Sequence, residues 1–184
     1  MSQSNEDRDE IIRQLVARVE TLEKGTPSDR LTLGVMSGDL DYTIAAFIIA
    51  VGAAAFDMEV DMFFTFWATA ALRDPKKRVK KGVLDTMFGL MLPRGSKKLP
   101  LSKMHMAGIG PGMIRHVMRN RGAAQLEDLM KEAADMGVRI HVCTMSMDIM
   151  GIKKEELIDY PNLSLVGVGT FIDMLSHSKQ CWFM

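Results

Sequence analysis

The amino-acid sequence predicts an α/β domain with a mainly parallel sheet of about five strands, helices on both faces and an additional N-terminal helix. From residue 31 onward, short apolar strands alternate with longer helical segments, and this alternation is typical of a parallel sheet covered on both faces. The chain has 184 residues, of which 47% are hydrophobic and 25% charged, so it can form one such domain with a modest extension.

The N-terminal helix is predicted at residues 6–24 from an apolar stripe with 3-4-3 spacing. The stripe consists of Ile12, Leu15, Val19 and Leu22. Gly25, Thr26 and Pro27 end this helix. Two heptads are too few for a stable isolated coiled coil. The stripe therefore needs a partner, either its own domain or the same helix of a second subunit, and we favour the second. We therefore divide the chain into an N-terminal extension with linker at 1–27 and an α/β domain at 28–184.

The strands and helices of the domain follow from short apolar runs and amphipathic segments. The strands are predicted at 31–36, 59–64, 138–143 and 163–168, with a last edge strand at 180–183. The helices are predicted at 42–55, 66–72, 123–136 and 170–178. Sites in parallel sheets lie beyond the carboxyl ends of the strands, so we look for chemistry after Met36, Phe64 and Cys143.

A basic insertion at about 74–103 interrupts the alternation. Between Arg73 and Arg121 there are thirteen Lys and Arg residues against two Asp, a balance of +11 in a chain of zero net charge. This charge suggests contact with an acidic protein, an anionic ligand or a membrane surface, or else a solvated lid. An arm or lid is favoured over peripheral membrane contact through 76–92, because the apolar part is short and ends at Pro93.

Several classes of protein are disfavoured. The polar, acidic start has no secretory signal, and the apolar run at 44–56 is too short to cross a bilayer, so we expect a cytoplasmic protein. Two cysteines in a reducing compartment are not expected to form a disulfide. Neither the cysteines nor the four histidines have metal-ligand spacing. We expect no metal, no organic cofactor and no nucleic-acid partner.

Cys143 is the candidate reactive residue because it ends a predicted strand just before a short helix, for which Ser146 is the expected N-cap. A thiol at a helix N-terminus lies at the positive end of the helix dipole, which favours the thiolate that can attack sulfur and hold a persulfide. The backbone amides around Met145 and Ser146 would stabilise the sulfur anion, and we expect Asp148 to face outward. From the residues alone, an inert buried cysteine is the more frequent alternative.

Other candidate residues have weaker support. Cys181 is either a relay for the persulfide or an inert thiol on a buried edge strand. Ser37 and Asp39 follow the first strand and are expected either to border the cleft of Cys143 or to serve as turn and cap residues. Gly110 and Gly112 lie in a glycine-rich segment that lacks the spacing of a phosphate-binding loop, so close chain packing is favoured there.

Three blocks of the sequence resemble the DsrE/DsrF-like superfamily. The first is Ser-Gly-Asp-Leu-Asp at 37–41, continued by the apolar run at 59–67. The second combines Met-Leu-Pro at 91–93, Leu-Pro-Leu-Ser-Lys-Met at 99–104 and Gly-Ile-Gly-Pro-Gly at 108–112. The third is 137–152 with its Cys-Thr-Met-Ser-Met-Asp run at 143–148.

This resemblance implies a three-layer α/β/α domain that forms homo-oligomers and passes sulfane sulfur between protein thiols. The family's cysteine falls on Cys143, with Thr144, Met145, Ser146 and Asp148 as supporting residues. The implied partners are small sulfur carriers of the TusA type and rhodanese-like sulfurtransferases, and the implied role is that of a sulfurtransferase or a sulfur carrier. A non-catalytic assembly module with a buried Cys143 is the alternative.

Overall fold

The computed structural model describes the backbone of residues 2–25 and 28–184, and the side chains of residues 8, 10–20 and 28–184. The side chain of Leu22, part of the apolar stripe, is outside the described part. The linker residues Thr26 and Pro27 are outside it entirely. The N-terminal helix α1 spans Ser2–Gly25. Its described apolar side chains, from Ile11 to Val19, are each more than half exposed.

Five parallel strands form one sheet in the order β4-β3-β2-β1-β5, which confirms the predicted fold class. The strands are β1 (Ser28–Val35), β2 (Glu59–Phe64), β3 (Arg139–Cys143), β4 (Leu163–Val166) and β5 (Ser178–Phe183). Most residues of β1 and β2 are buried, as expected for strands inside a covered sheet, whereas β5 exposes every residue after Ser178. The last strand, β5, lies parallel to β1 at one edge.

Helices connect the strands on both faces. They are α2 (Leu40–Ala55), α3 (Val83–Met91), α4 (Ile109–Asn120), α5 (Leu126–Asp135), α6 (Thr144–Ile149) and α7 (Val168–Ser176). On the first face, apolar side chains of β1, β2 and β3 pack with α2 and α5 in the main core. On the second face, Phe171 and Met174 of α7 pack against Phe63 of β2 and Cys143 of β3. The three layers are therefore α2 and α5, the sheet, and α7.

The second face also carries a charged network, formed by side chains of β2, β3 and β4. Asp61 is buried, and its carboxylate accepts hydrogen bonds from Arg139 at 2.7 and 2.9 Å. Its Oδ1 lies 2.7 Å from Nε2 of His141, whose Nδ1 lies 2.7 Å from Oγ of Ser164. Burial raises the pKa of Asp61, but the hydrogen bonds from Arg139 and His141 outweigh it and hold the pKa well below its usual range.

The predicted helix at 66–72 is a 3-10 helix, Phe66–Leu72. It begins with Phe66 at φ 45°, a left-handed conformation that is uncommon for an aromatic residue and that does not occur inside a right-handed α-helix. Gly38 permits the packing there, because a Cβ at that position would lie 2.5 Å from the carbonyl oxygen of Trp67.

The glycine-rich segment is the start of a helix. Gly108, with φ 92°, is the N-cap of α4, so Gly110 and Gly112 lie in the first turn of that helix. A Cβ on Gly110 would lie 2.0 Å from the carbonyl oxygen of Met104, which means that the absent side chain lets two backbone segments approach.

The basic insertion contains α3 and is fixed to the domain by buried polar contacts of Lys81 and Gly89 with Glu156 and Arg73, respectively. Arg73 donates to Glu156 at 2.9 Å, and Lys81 pairs with the other carboxylate oxygen of Glu156. All three side chains are buried. By contrast, α3 leaves Val83, Leu90 and Met91 largely exposed. Among the residues that the structure describes, no helix is long and apolar enough to cross a membrane.

Candidate functional site

Cys143 is the last residue of β3 and the N-cap of α6. The register pairs Phe64 of β2 with Val142, so Thr65, the next residue after β2, lies level with Cys143. The Cys143 side chain is only 2% exposed and packs with Phe63, Phe171 and Met174. The site therefore lies at the carboxyl edge of two adjacent central strands, where ligand and reaction sites of parallel sheets are found.

Ser146 is not the N-cap that the sequence predicts. Because α6 begins at Thr144, Ser146 lies inside the helix, and its buried hydroxyl is 2.7 Å from the hydroxyl of Thr65. This pair connects the end of β2 to α6 directly beside the thiol. Thr65 was not identified from the sequence as a site residue, although its position after the second strand was within the loops singled out for chemistry.

The surroundings of the thiol favour its anionic form. Burial by itself raises the pKa of Cys143. Hydrogen bonds to the thiolate from the hydroxyl and N–H of Ser146, the hydroxyl of Thr65 and the N–H of Met145 outweigh the burial, so the pKa lies below its ordinary value. The site combines an apolar wall that excludes water with hydrogen-bond donors directed at sulfur.

The remaining predicted supporting residues lie on the outer side of α6. Thr144 is exposed, and its hydroxyl donates to the carbonyl of Val166 at 3.4 Å, which connects the ends of β3 and β4. Asp148 is exposed, in agreement with an outward orientation. Met145 is 55% exposed and forms part of the surface around the thiol.

Exposed apolar side chains follow one another along this edge of the sheet. Each comes at or just after the end of a strand: Val168, Met145, Phe66, Met36 and Phe183, in the spatial order of the strands. We call this set the apolar edge. A protein that reaches Cys143 from the carboxyl side of the sheet would contact it, and exposed apolar patches mark surfaces of this kind.

Ser37 and Asp39 border a different cleft. The Ser37 hydroxyl donates to Asp39 at 2.9 Å, and the two residues line a cleft of about 290 Å³ together with Trp67, Leu92, Pro93 and Pro100. Cys143, Gly110 and Gly112 are not among the residues that line this cleft. Of the four predicted cleft residues, only Ser37 and Asp39 therefore share this cleft.

Cys181 lies on β5 and is exposed, in contrast to the buried edge-strand alternative. Two strands, β1 and β2, separate β5 from β3, a displacement of roughly 14 Å. The strand register also places Cys181 level with Arg139 of β3. Arg139 precedes Cys143 by four residues, so the two cysteines are offset by roughly 13 Å along the strand direction. A disulfide requires Cα atoms within about 7 Å, so direct exchange within one chain is excluded in this conformation. The relay role of Cys181 stays a prediction, and it would require another conformation or a second chain.

Metal-ligating side chains do not converge in the part of the chain that the structure describes: no group of three His, Cys, Asp or Glu residues there could hold an ion. His141 is occupied by its hydrogen bonds to Asp61 and Ser164. The chemistry available at the site is that of a single polarised thiol.

Comparison with known proteins identifies the family of the chain. Residues 27–183 match the model of the DsrE/DsrF/DrsH-like family. The chain is 46% identical over 144 residues to the protein YrkE of Bacillus subtilis (strain 168), covering 78% of this chain and 89% of that protein. It is 28% identical over 159 residues to the sulfur carrier protein DsrE2 of Allochromatium vinosum, covering 84% of this chain and 98% of the relative.

A weaker likeness exists to the crystal structure of the ychN protein from E. coli, with a TM-score of 0.48 and 10% sequence identity over 84% of this chain and 98% of the other. The family match spans nearly the whole α/β domain and includes both strands that form the Cys143 site. The chain therefore belongs to the DsrE/DsrF/DrsH-like family.

Proposed function

We propose that this protein is a sulfur relay that holds sulfane sulfur as a persulfide on Cys143 and passes it to a thiol of a partner protein. The observation that carries the proposal is the buried Cys143 thiol, whose pKa is lowered by hydrogen bonds from Ser146, Thr65 and Met145 despite its burial. Similarity to a sulfur carrier protein over most of the chain supports the same role.

The proposed reaction consists of two displacements at sulfur. The Cys143 thiolate attacks the outer sulfur of a donor persulfide, the donor's S–S bond breaks, and the donor leaves as a thiolate. Cys143 now carries the persulfide. An acceptor thiolate then attacks its outer sulfur, and Cys143 leaves as a thiolate. One S–S bond forms for each that breaks, so no external oxidant or reductant is required.

Thr65, Ser146 and the N–H of Met145 have the same task in both steps. The Cys143 thiolate is the nucleophile of the first displacement and the leaving group of the second, and donors that stabilise it ease the second in particular. The apolar wall of Phe63, Phe171 and Met174 keeps water away from the bound sulfur.

The partners that we propose are a small carrier of the TusA type and a rhodanese-like sulfurtransferase, which would dock against the apolar edge. We also propose a homo-oligomer and a cytoplasmic location, because both cysteines are free and the N-terminal helix exposes an apolar stripe.

Intact-mass analysis tests the relay. The protein is treated briefly with polysulfide, or with thiosulfate and a sulfurtransferase, as wild type, Cys143→Ser and Cys181→Ser. We expect a gain of about 32 Da, one sulfur atom, in the wild type and in Cys181→Ser, and none in Cys143→Ser. No gain in any variant, together with a Cys143 that resists alkylation in the folded protein, would contradict the relay and favour the non-catalytic assembly module.

A second candidate function, binding to an anionic membrane surface, is favoured by one observation. In α3, Val83 is 88% and Met91 76% exposed, and α3 follows directly on the lysine-rich part of the insertion. Co-sedimentation with anionic liposomes tests this. The double variant Lys76→Gln, Lys80→Gln should lose binding to the liposomes, because both lysine side chains are exposed beside α3. The control variant Lys131→Gln, Lys154→Gln removes two exposed lysines elsewhere and should keep binding.

A further inference from the structure

A small cavity lies at the base of the basic insertion, with a volume of about 130 Å³. Five cationic side chains line it, against two carboxylates. It is formed by residues of the insertion together with Arg73 and Glu156 of the domain. Neither Cys143 nor any residue in hydrogen-bond contact with its thiol is part of the lining, so the cavity is separate from the candidate sulfur site.

The wall of this basic cavity contains more positive than negative buried charge. The side chains of Arg73, Lys81 and Glu156 are 3%, 6% and 4% exposed, so two buried cations share one carboxylate. Their other partners are neutral carbonyls: Arg73 donates to Gly89 at 3.1 Å, and Lys81 donates to Gly151. Burying a positive charge without a counter-charge costs desolvation free energy, and a bound anion would offset that cost.

Two further arginines add to this charge. The side chains of Arg78 and Arg94 line the cavity and have no hydrogen bond or ion pair with any residue that the structure describes. The other lining carboxylate, Asp85, pairs with Lys153 at 3.3 Å, and the fifth cation, Lys77, pairs with Asp159 at 2.7 Å. Three positive charges on the wall are therefore left without a carboxylate of their own.

Gly89 leaves the space beside two of these buried cations free of any side chain. A Cβ at this position would lie 3.4 Å from Nζ of Lys81 and 3.6 Å from Nη2 of Arg73, so any side chain there would occupy the space in front of both. The cavity volume corresponds to roughly four water molecules, which is enough for one tetrahedral oxyanion with little solvent.

We propose that the basic cavity binds a small inorganic oxyanion of two negative charges, such as sulfate, phosphate or thiosulfate. Arg78 and Arg94 supply guanidinium groups, whose planar forks match the oxygens of such anions, and the buried Arg73 and Lys81 supply the positive field. The bound anion joins the insertion to the domain. This proposal does not rest on the sulfur relay, because the cavity contains none of the residues at Cys143.

Isothermal titration calorimetry of the full chain with sodium sulfate, phosphate and thiosulfate tests the proposal, with sodium chloride at equal ionic strength as reference. We expect saturable one-to-one binding of at least one oxyanion and none of chloride. Arg94→Gln and Arg78→Gln should each weaken that binding at least about tenfold, the effect of losing one charge-assisted hydrogen bond.

The matched control is Lys97→Gln, which removes an exposed cation of the same insertion that does not line the cavity and should leave the affinity unchanged. The order of affinities among the three oxyanions identifies the ligand. Heat effects equal to those of chloride, or binding that both arginine variants retain, would overturn the proposal. Both arginines lack internal partners, so their replacement should not prevent folding.

Discussion

At the scale of single residues, the hydroxyls of Thr65 and Ser146 determine how easily Cys143 ionises. They lie 2.7 Å apart, on neighbouring elements beside the thiol. Thr65→Val and Ser146→Ala each remove a hydrogen bond that the thiolate accepts, so each should raise the pKa of Cys143. The pH dependence of the rate at which iodoacetamide alkylates the folded protein measures this change.

Thr144→Val is the control for this measurement. Its hydroxyl donates to Val166 and does not contribute to the lowered pKa of the thiol, so the alkylation profile should follow that of the wild type. An unchanged profile in both Thr65→Val and Ser146→Ala would show that these hydroxyls do not tune the sulfur. The alkylation is followed in Cys181→Ser so that the exposed second cysteine does not contribute.

Some features of individual site residues could be predicted from the sequence and others could not. The position of Cys143 at a strand end could be predicted from the apolar run before it, and Asp148 could be placed outside by its position in the next helix. The cap at Ser146 was wrong, because Cys143 itself takes that position and the serine hydroxyl turns inward to Thr65. Thr65 could not be found, since its role depends on the register between β2 and β3.

At the scale of secondary-structure elements, Glu156 holds the basic insertion against the domain. Its buried carboxylate pairs with both Arg73 and Lys81. Glu156→Gln leaves these two cations buried without a counter-charge and should lower the free energy of unfolding by about 3–5 kcal/mol. Urea denaturation followed by circular dichroism measures the loss, and limited proteolysis should show earlier cleavage within the insertion.

Glu155→Gln provides the comparison, because the neighbouring carboxylate is exposed and should contribute little. Equal stability of the two variants would mean that the buried pairs do not anchor the insertion. The pKa of Glu156 agrees with the anchoring: burial raises it, but hydrogen bonds from Lys81, the backbone of Lys153 and Arg73 bring it below its ordinary value.

The helices and strands with a regular spacing of apolar residues could be predicted from the sequence. Strands β1 to β4 and helices α2, α5 and α7 follow from their apolar periodicity, with shifts of a few residues at their ends. Phe66–Leu72 became a 3-10 helix because a left-handed Phe66 enters it, and backbone strain of that kind is imposed by tertiary packing. The docking of the insertion depends on long-range ion pairs that no local pattern reveals.

At the scale of the whole molecule, the exposed apolar stripe of α1 is the surface that we expect to form the contact between subunits. Leu15 and Val19 are each more than half exposed, although their spacing suits a helix-to-helix interface. Leu15→Asp combined with Val19→Asp should reduce the proposed homo-oligomer to a smaller species, because two charges at the interface cannot be buried. Sedimentation velocity of the full chain reports the mass.

Gln14→Glu is the matching substitution outside the stripe and should keep the mass of the wild type. If the double variant also keeps that mass, α1 does not form the subunit interface. Persulfide loading of the double variant then shows whether the relay depends on assembly.

The placement of β5 beside β1 has a consequence for the synthesis of the protein. The hydroxyls of Thr32 and Ser178 lie 2.7 Å apart, although 146 positions separate them in the chain. While the ribosome adds those residues, the outer edge of β1 offers unpaired N–H and C=O groups to any neighbouring strand. The native sheet can close only when the final strand emerges, so folding should be slow and the incomplete chain prone to aggregation. A nascent chain that stops short of residue 178 would therefore depend on chaperones to protect that edge.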